Sequence, residues 1–136
     1  MNSYLIESED TLSLNNEISK IIKDNDFTNA VINTYDIEET LLDNALEDLD
    51  TYSFLSDKKV IIIKNCFSEN NDKYQAHLLR YIENYNPDNL LILATKKIDN
   101  RLNIVKKLKK NSNIEFIHIE LNPIDYAKSL LSDYKV

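Results

Sequence analysis

A three-layer α/β sandwich around a five-stranded, mainly parallel sheet is the fold class this sequence predicts. Five short β-type runs alternate with five helical patterns along the chain. Two of the runs, Val60-Ile61-Ile62-Ile63 and Leu90-Leu91-Ile92-Leu93, are continuously apolar, which suits strands buried on both faces of a parallel sheet. No internal repeat or linker interrupts the alternation, so the 136 residues read as one domain with one core.

The β-type runs are Ser3–Glu7, Ala30–Asp36, Val60–Lys64, Asn89–Thr95 and Glu115–Leu121. The spacing predicts helices over Thr11–Lys23, Glu38–Leu49, Asp72–Asn84, Arg101–Lys110 and Ile124–Tyr134. The first helix carries Leu14, Ile18, Ile21 and Ile22 on one stripe, and the second Leu42, Ala45, Leu46 and Leu49. Tyr74, Leu78, Tyr81 and Ile82 form the stripe of the third; Ile104, Val105 and Leu108 form that of the fourth. Steps of three and four put such residues on one helix face, ready to pack on a sheet. Strands alternating with helices in this way imply right-handed crossovers. Pro123 suits the first turn of the last helix, which ends with the chain as if leading into a further segment.

Composition removes several function classes. Hydrophobic residues make up 43% of the chain, too many for disorder. No apolar run approaches a membrane span, and the start lacks the basic and apolar regions of a secretory signal. Cys66 is the only cysteine, which excludes an intrachain disulfide and reads as a small apolar residue after a strand. Glycine is absent altogether. Gly-rich phosphate cradles need its positive φ and its lack of a side chain, so neither a P-loop nor a dinucleotide fingerprint is present. The net charge of −7 is uneven: residues 1–50 carry −11 and residues 51–136 carry +4. The acidic first half argues against nucleic acid wrapping the whole domain.

Ligands of open α/β sheets bind beyond the carboxyl ends of the strands, so each strand end is informative. The first run is followed by Glu7-Ser8-Glu9-Asp10, three carboxylates where a triphosphate would sit. The third is followed by Lys64 and Asn65. An NTPase needs a Mg²⁺-binding acid there, and a phosphoacceptor receiver domain needs an aspartate. The fourth ends in Thr95. His77 and His118 lie in a helix and a strand without metal-ligand spacing. Glu38, Glu39, Asp48 and Asp50 read as solvated acidic faces. Lys96, Lys97, Arg101, Lys106, Lys107, Lys109 and Lys110 form the one basic cluster. It reads as a solvated helix face or as an electrostatic contact for DNA phosphate or an acidic partner.

Tyr52-Ser53-Phe54-Leu55-Ser56-Asp57-Lys58-Lys59 sets two bulky apolar residues side by side in a polar connector. Phe54 and Leu55 are either a local core plug, in a generic α/β protein-interaction module, or a protruding hydrophobic hook.

The chain resembles the N-terminal domain of the delta subunit of the bacterial DNA polymerase III clamp loader. The resembling pieces are Tyr4-Leu5-Ile6 with the acidic turn after it, Asp36-Ile37-Glu38-Glu39-Thr40, Ser53-Phe54-Leu55-Ser56-Asp57-Lys58-Lys59-Val60-Ile61-Ile62-Ile63-Lys64-Asn65, Leu79-Arg80-Tyr81-Ile82-Glu83-Asn84, and Leu91-Ile92-Leu93-Ala94-Thr95-Lys96-Lys97-Ile98-Asp99-Asn100-Arg101. The third piece is the most specific. The resemblance implies a P-loop NTPase/AAA+-like fold with a degenerate nucleotide site, no cofactor and no catalysis, within a DNA-directed DNA polymerase complex in the cytoplasm. It implies an AAA+-like domain over residues 1–122 and, over 123–136, the start of a helix toward a lid domain. Its implied partners are the sliding clamp (the beta subunit), the delta prime and tau/gamma subunits through domains beyond this chain, and DNA indirectly. Tyr52, Ser53, Phe54 and Leu55 fall at the family's clamp-binding element, with Phe54 and Leu55 as the two residues that enter the clamp. Asp50 stands where some members have glutamine. Lys96, Lys97, Arg101, Lys106, Lys107 and Lys110 remain candidates for a DNA or partner contact.

Overall fold

The computed structural model describes residues 2–40, 42–51, 58–69 and 71–120. Its elements are β1 (Ser3–Glu7), α1 (Thr11–Asp24), β2 (Val31–Asp36), α2 (Leu42–Asp50), β3 (Lys59–Lys64), α3 (Asp72–Glu83), β4 (Asn89–Thr95), α4 (Asn103–Lys109) and β5 (Ile114–His118). The five strands form one sheet in the order β2-β3-β4-β1-β5, and every pairing is parallel.

The two faces of the sheet build two cores. Tyr4, Ile6, Val60, Ile62, Leu90 and Ile92 pack with Ile18 and Ile21 of α1 and with Phe27. Leu5, Ile61, Ile63, Leu91 and Leu93 pack against Ala45, Leu46 and Leu49 of α2, the stripe of α3 and that of α4. The continuous apolar runs are therefore buried on both sides, as their sequence predicts. Cys66 is fully buried in the second core, and the Tyr74 hydroxyl donates to its carbonyl at 3.1 Å.

Element boundaries shift for identifiable reasons. α2 begins at Leu42 rather than Glu38 because the chain after β2 first closes a turn. The Asp36 carboxylate accepts from Glu38 N–H at 3.0 Å, and the Asp36 carbonyl accepts from Glu39 and Thr40 at 3.0 and 2.8 Å. A side chain satisfying its own downstream backbone competes with helix initiation. β3 starts one residue early, at Lys59, and β5 runs over Ile114–His118. Ile119 N–H still reaches the carbonyl of Glu7 at 2.9 Å. The helix expected over Ile124–Tyr134 lies outside the described residues, as do Tyr52, Ser53, Phe54 and Leu55.

Among the described residues of this glycine-free chain, Asp26 and Asn65 take positive φ, at 61° and 54°. Both are residue types that tolerate the left-handed region. Asn65 turns the chain at the carboxyl end of β3 and donates from Nδ2 to Asp36 Oδ1 at 2.9 Å, joining the ends of β3 and β2.

Candidate functional site

Thr51 and Lys59, on either side of residues 52–57, meet in one polar network. Lys59 is the first residue of β3, and its side chain is 5% exposed. Its Nζ donates to Asp48 Oδ1 at 2.9 Å, to the Asp48 carbonyl at 2.6 Å and to the Thr51 carbonyl at 2.6 Å. An ammonium has three protons, and all three are used. Two of these acceptors are carbonyls at the end of α2, where a helix dipole favours a cation. Asp48 also accepts from Asn33 Nδ2 at 2.8 Å and from the Tyr35 hydroxyl at 2.7 Å. Burial raises the Asp48 carboxyl pKa, but the bonds from Tyr35, Lys59 and Asn33 outweigh it, and the net direction is down. Burial and the bond to Asp48 push Tyr35 up to about 12.

Asp48 is therefore not a residue of a solvated acidic face. It is the hub that ties α2 to β2 and β3. Asp50 is also engaged: its carboxylate lies 2.7 Å from His77 Nε2 on α3. Sequence reasoning missed both partners, since two acids near the end of a polar helix give no local sign of their cation. The one available signal was Lys59 adjoining an apolar run, where a lysine either ends the strand or snorkels to an acid.

At the carboxyl edge of the sheet, the strand ends are occupied by the chain's own charges. The Asp10 carboxylate caps α1 by accepting from Ser13 N–H at 2.8 Å, and its pKa is lowered chiefly by bonds from Ser13. Glu7 accepts from Ile98 N–H and pairs with His118 Nδ1. Ser8, Glu9, Asp36, Lys64, Asn65 and Lys96 line a cleft of about 300 Å³ over β1, β3 and β4. Asn65 holds the Asp36 carboxyl below the usual aspartate range, with help from Glu38 N–H.

The basic cluster divides. Lys96 and Lys97 line a cleft with Glu7, Glu9, Asp10 and His118. Arg101 forms a two-pronged pair with Asp99, at 3.0 and 3.1 Å. Lys107 and Lys110 line a different cleft, with Leu79, Glu83 and Asn113. Lys106 is exposed on α4, and Lys109 donates to Asn100.

The family model described as "DNA polymerase III, delta subunit" matches residues 4–118. The chain belongs to the DNA polymerase III delta subunit family. That family is one of clamp-loader subunits in DNA replication. The DNA polymerase III subunit delta of Bacillus subtilis (strain 168) is 26% identical over 121 residues, covering 80% of this chain and 35% of the relative. Among solved structures, the Bacillus subtilis DNA clamp loader delta protein superposes with a TM-score of 0.68 at 24% identity. That match covers 97% of this chain and 42% of the solved one, and shows the same α/β fold. The chain thus spans well under half the length of the delta subunits it matches. Among the described residues of this delta-family chain, no helix is long and apolar enough to cross a membrane.

Proposed function

We propose that this chain is the clamp-binding, non-catalytic module of a clamp-loader delta subunit, and that Phe54 and Leu55 enter a pocket on the sliding clamp. The observation that carries this reading is the family match over residues 4–118, which includes the Tyr52–Leu55 segment. The Lys59–Asp48 network supports it, because it anchors Thr51, the residue just before that segment. In this reading residues 1–122 form the AAA+-like domain and 123–136 lead toward a lid. Neighbouring subunits bind and hydrolyse ATP, and their state exposes or hides the hook. Delta prime and tau/gamma subunits join through domains outside this chain, in the cytoplasm, with DNA reached indirectly. Lys96, Lys97, Arg101, Lys106, Lys107 and Lys110 are the residues proposed for any phosphate or partner contact.

The same proposal holds that the chain has no working nucleotide site. The capped N-terminus of α1 supports this, since the Asp10 carboxylate takes the Ser13 N–H at the place where a P-loop helix would bind phosphate. Glu7, Glu9 and Asp10 bring three carboxylates to the cleft beside it, which Lys96 and Lys97 also line.

Full burial of a Phe and a Leu yields ~3–6 kcal/mol. Association costs about 4–15 kcal/mol in lost freedom. The pair therefore acts as a hot spot within a wider contact. Calorimetry of the chain against the sliding clamp of the same organism tests this, with wild type beside the Phe54→Ala/Leu55→Ala variant. Binding lost by ~3 kcal/mol or more in a still-folded variant is the expected result. Loss of cooperative unfolding would instead make the pair part of the core.

A further inference from the structure

β2 is an outer strand, and among the described residues no strand pairs with its outer edge. Its register with β3 runs unbroken from Val31–Lys59 to Asp36–Lys64. Val31 N–H donates to Lys58 and Ile37 N–H to Lys64, so the odd-numbered residues turn their main-chain groups toward β3. Alternation then turns the N–H and C=O of Ile32 and Thr34 away from the sheet. Among the described residues no group outside the sheet bonds to them. The next carbonyl along this edge, that of Asp36, is taken by Glu39 and Thr40. The edge also lacks the usual protections: it has no bulge, no proline and no lysine. Instead it exposes two β-branched apolar residues, Val31 at 39% and Ile32 at 48%.

Acids dominate the chain around this edge, with Lys58, whose carbonyl takes the Val31 N–H and whose ammonium pairs with Asp26 at 4.0 Å, at its start. Residues 24–50 contain nine acids and no Lys or Arg. Glu47 and Asp43 are exposed on α2, and Glu47 is close enough to act electrostatically on Tyr35 of β2. Ile32 shares its sheet face with Val60, on the α1 side, whereas Asn33 and Tyr35 face α2.

We propose that the β2 edge is a docking site for an extended basic peptide strand, bonded to the main chain of Ile32 and Thr34. Its apolar residues lie on the Ile32 side and its Lys or Arg residues on the Glu47 side. Adding a strand to an open edge gives affinity through the main chain, and alternate side chains give selectivity. A second copy of this chain is a poor occupant, because edge-to-edge pairing brings two acidic segments together. Nucleic acid is repelled for the same reason.

The test is titration of the chain with the octapeptide (Lys-Val)₄, followed by amide hydrogen exchange, with (Glu-Val)₄ and (Lys-Ser)₄ as controls. At saturation, exchange at Ile32 and Thr34 slows at least tenfold with (Lys-Val)₄ alone, and the affinity falls with added salt. Asp43→Lys/Glu47→Lys, at exposed positions, weakens binding at least tenfold, whereas Phe54→Ala/Leu55→Ala leaves it unchanged, which separates this site from the clamp hook. The proposal is overturned by no binding at millimolar peptide, by protection elsewhere with Ile32 and Thr34 still exchanging, or by concentration-dependent self-association through β2 in sedimentation.

Discussion

Lys59 and Asp48, eleven residues apart in sequence, form a pair at 2.9 Å in which the ammonium also takes two main-chain carbonyls at the end of α2. With side chains 5% and 15% exposed, neither ion has much water to fall back on. Lys59→Met leaves Asp48 partly buried beside Tyr35 and Asn33 and leaves the Thr51 carbonyl without its donor. Breaking one half of such a pair costs ~3 kcal/mol or more. Urea denaturation checks it, with the midpoint dropping and the slope unchanged.

Acid sensitivity follows from this hub and from two further hydrogen-bonded carboxylates. Asp48, Asp36 and Asp10 all have folded-state pKa values below 3.8. The unfolded chain therefore takes up protons first as pH falls, and stability drops in acid. The stabilisation is full above the unfolded value and is lost as pH falls through the folded ones. The thermal midpoint is expected to be level from about pH 6 to 5 and to fall below about pH 4.5. Asp48→Asn makes that acid limb shallower.

Tyr35 has the opposite sign. Its pKa rises to about 12 from 10.0. The folded chain then holds the proton longer than the unfolded one, so this contribution is present below pH 10.0 and declines as pH rises from there through about 12. Tyr35→Phe makes the alkaline slope shallower, since buried Tyr74 and Tyr81 are raised as well. Thermal scans of the two chains across that range make the comparison.

The two left-handed residues respond differently to glycine. Relief of the side-chain clash at Asp26 offsets the added flexibility of the unfolded chain, so Asp26→Gly stays within about 0.5 kcal/mol of the parent. Asn65→Gly also loses the bond to Asp36, and costs about 1 kcal/mol net. Paired denaturation curves distinguish the two.

Nucleotide is expected to leave the fold indifferent. A ligand that binds only the native state raises the thermal midpoint. Millimolar ATP with Mg²⁺ therefore produces no shift if the proposed loss of the site is right, and a rise of several degrees sinks that part of the proposal.

Periodicity made the architecture legible. Val60–Ile63 and Leu90–Leu93 are central strands because nothing polar interrupts them, and the stripes of α3 and α4 are buried in full. The start of α2 was not legible, because Asp36 spends its side chain and carbonyl on a turn that helix periodicity does not register. The polar hub was hidden for a related reason. Asp48 meets Lys59, Tyr35 and Asn33 only once β2 and β3 are in register beside α2, and no local pattern encodes that meeting. The basic run misled by proximity in sequence, since Lys96 and Lys107 line separate clefts.

Cys66 is fully buried, and burial pushes its thiol pKa far above the usual range. Only a thiolate reacts readily with an alkylating reagent, and this one is neither ionised nor reachable in the native state. A cysteine introduced at an exposed position would therefore be the only one to take up a maleimide dye while the chain stays folded. Fluorescent reporters can be attached one per molecule with the native residue left in place.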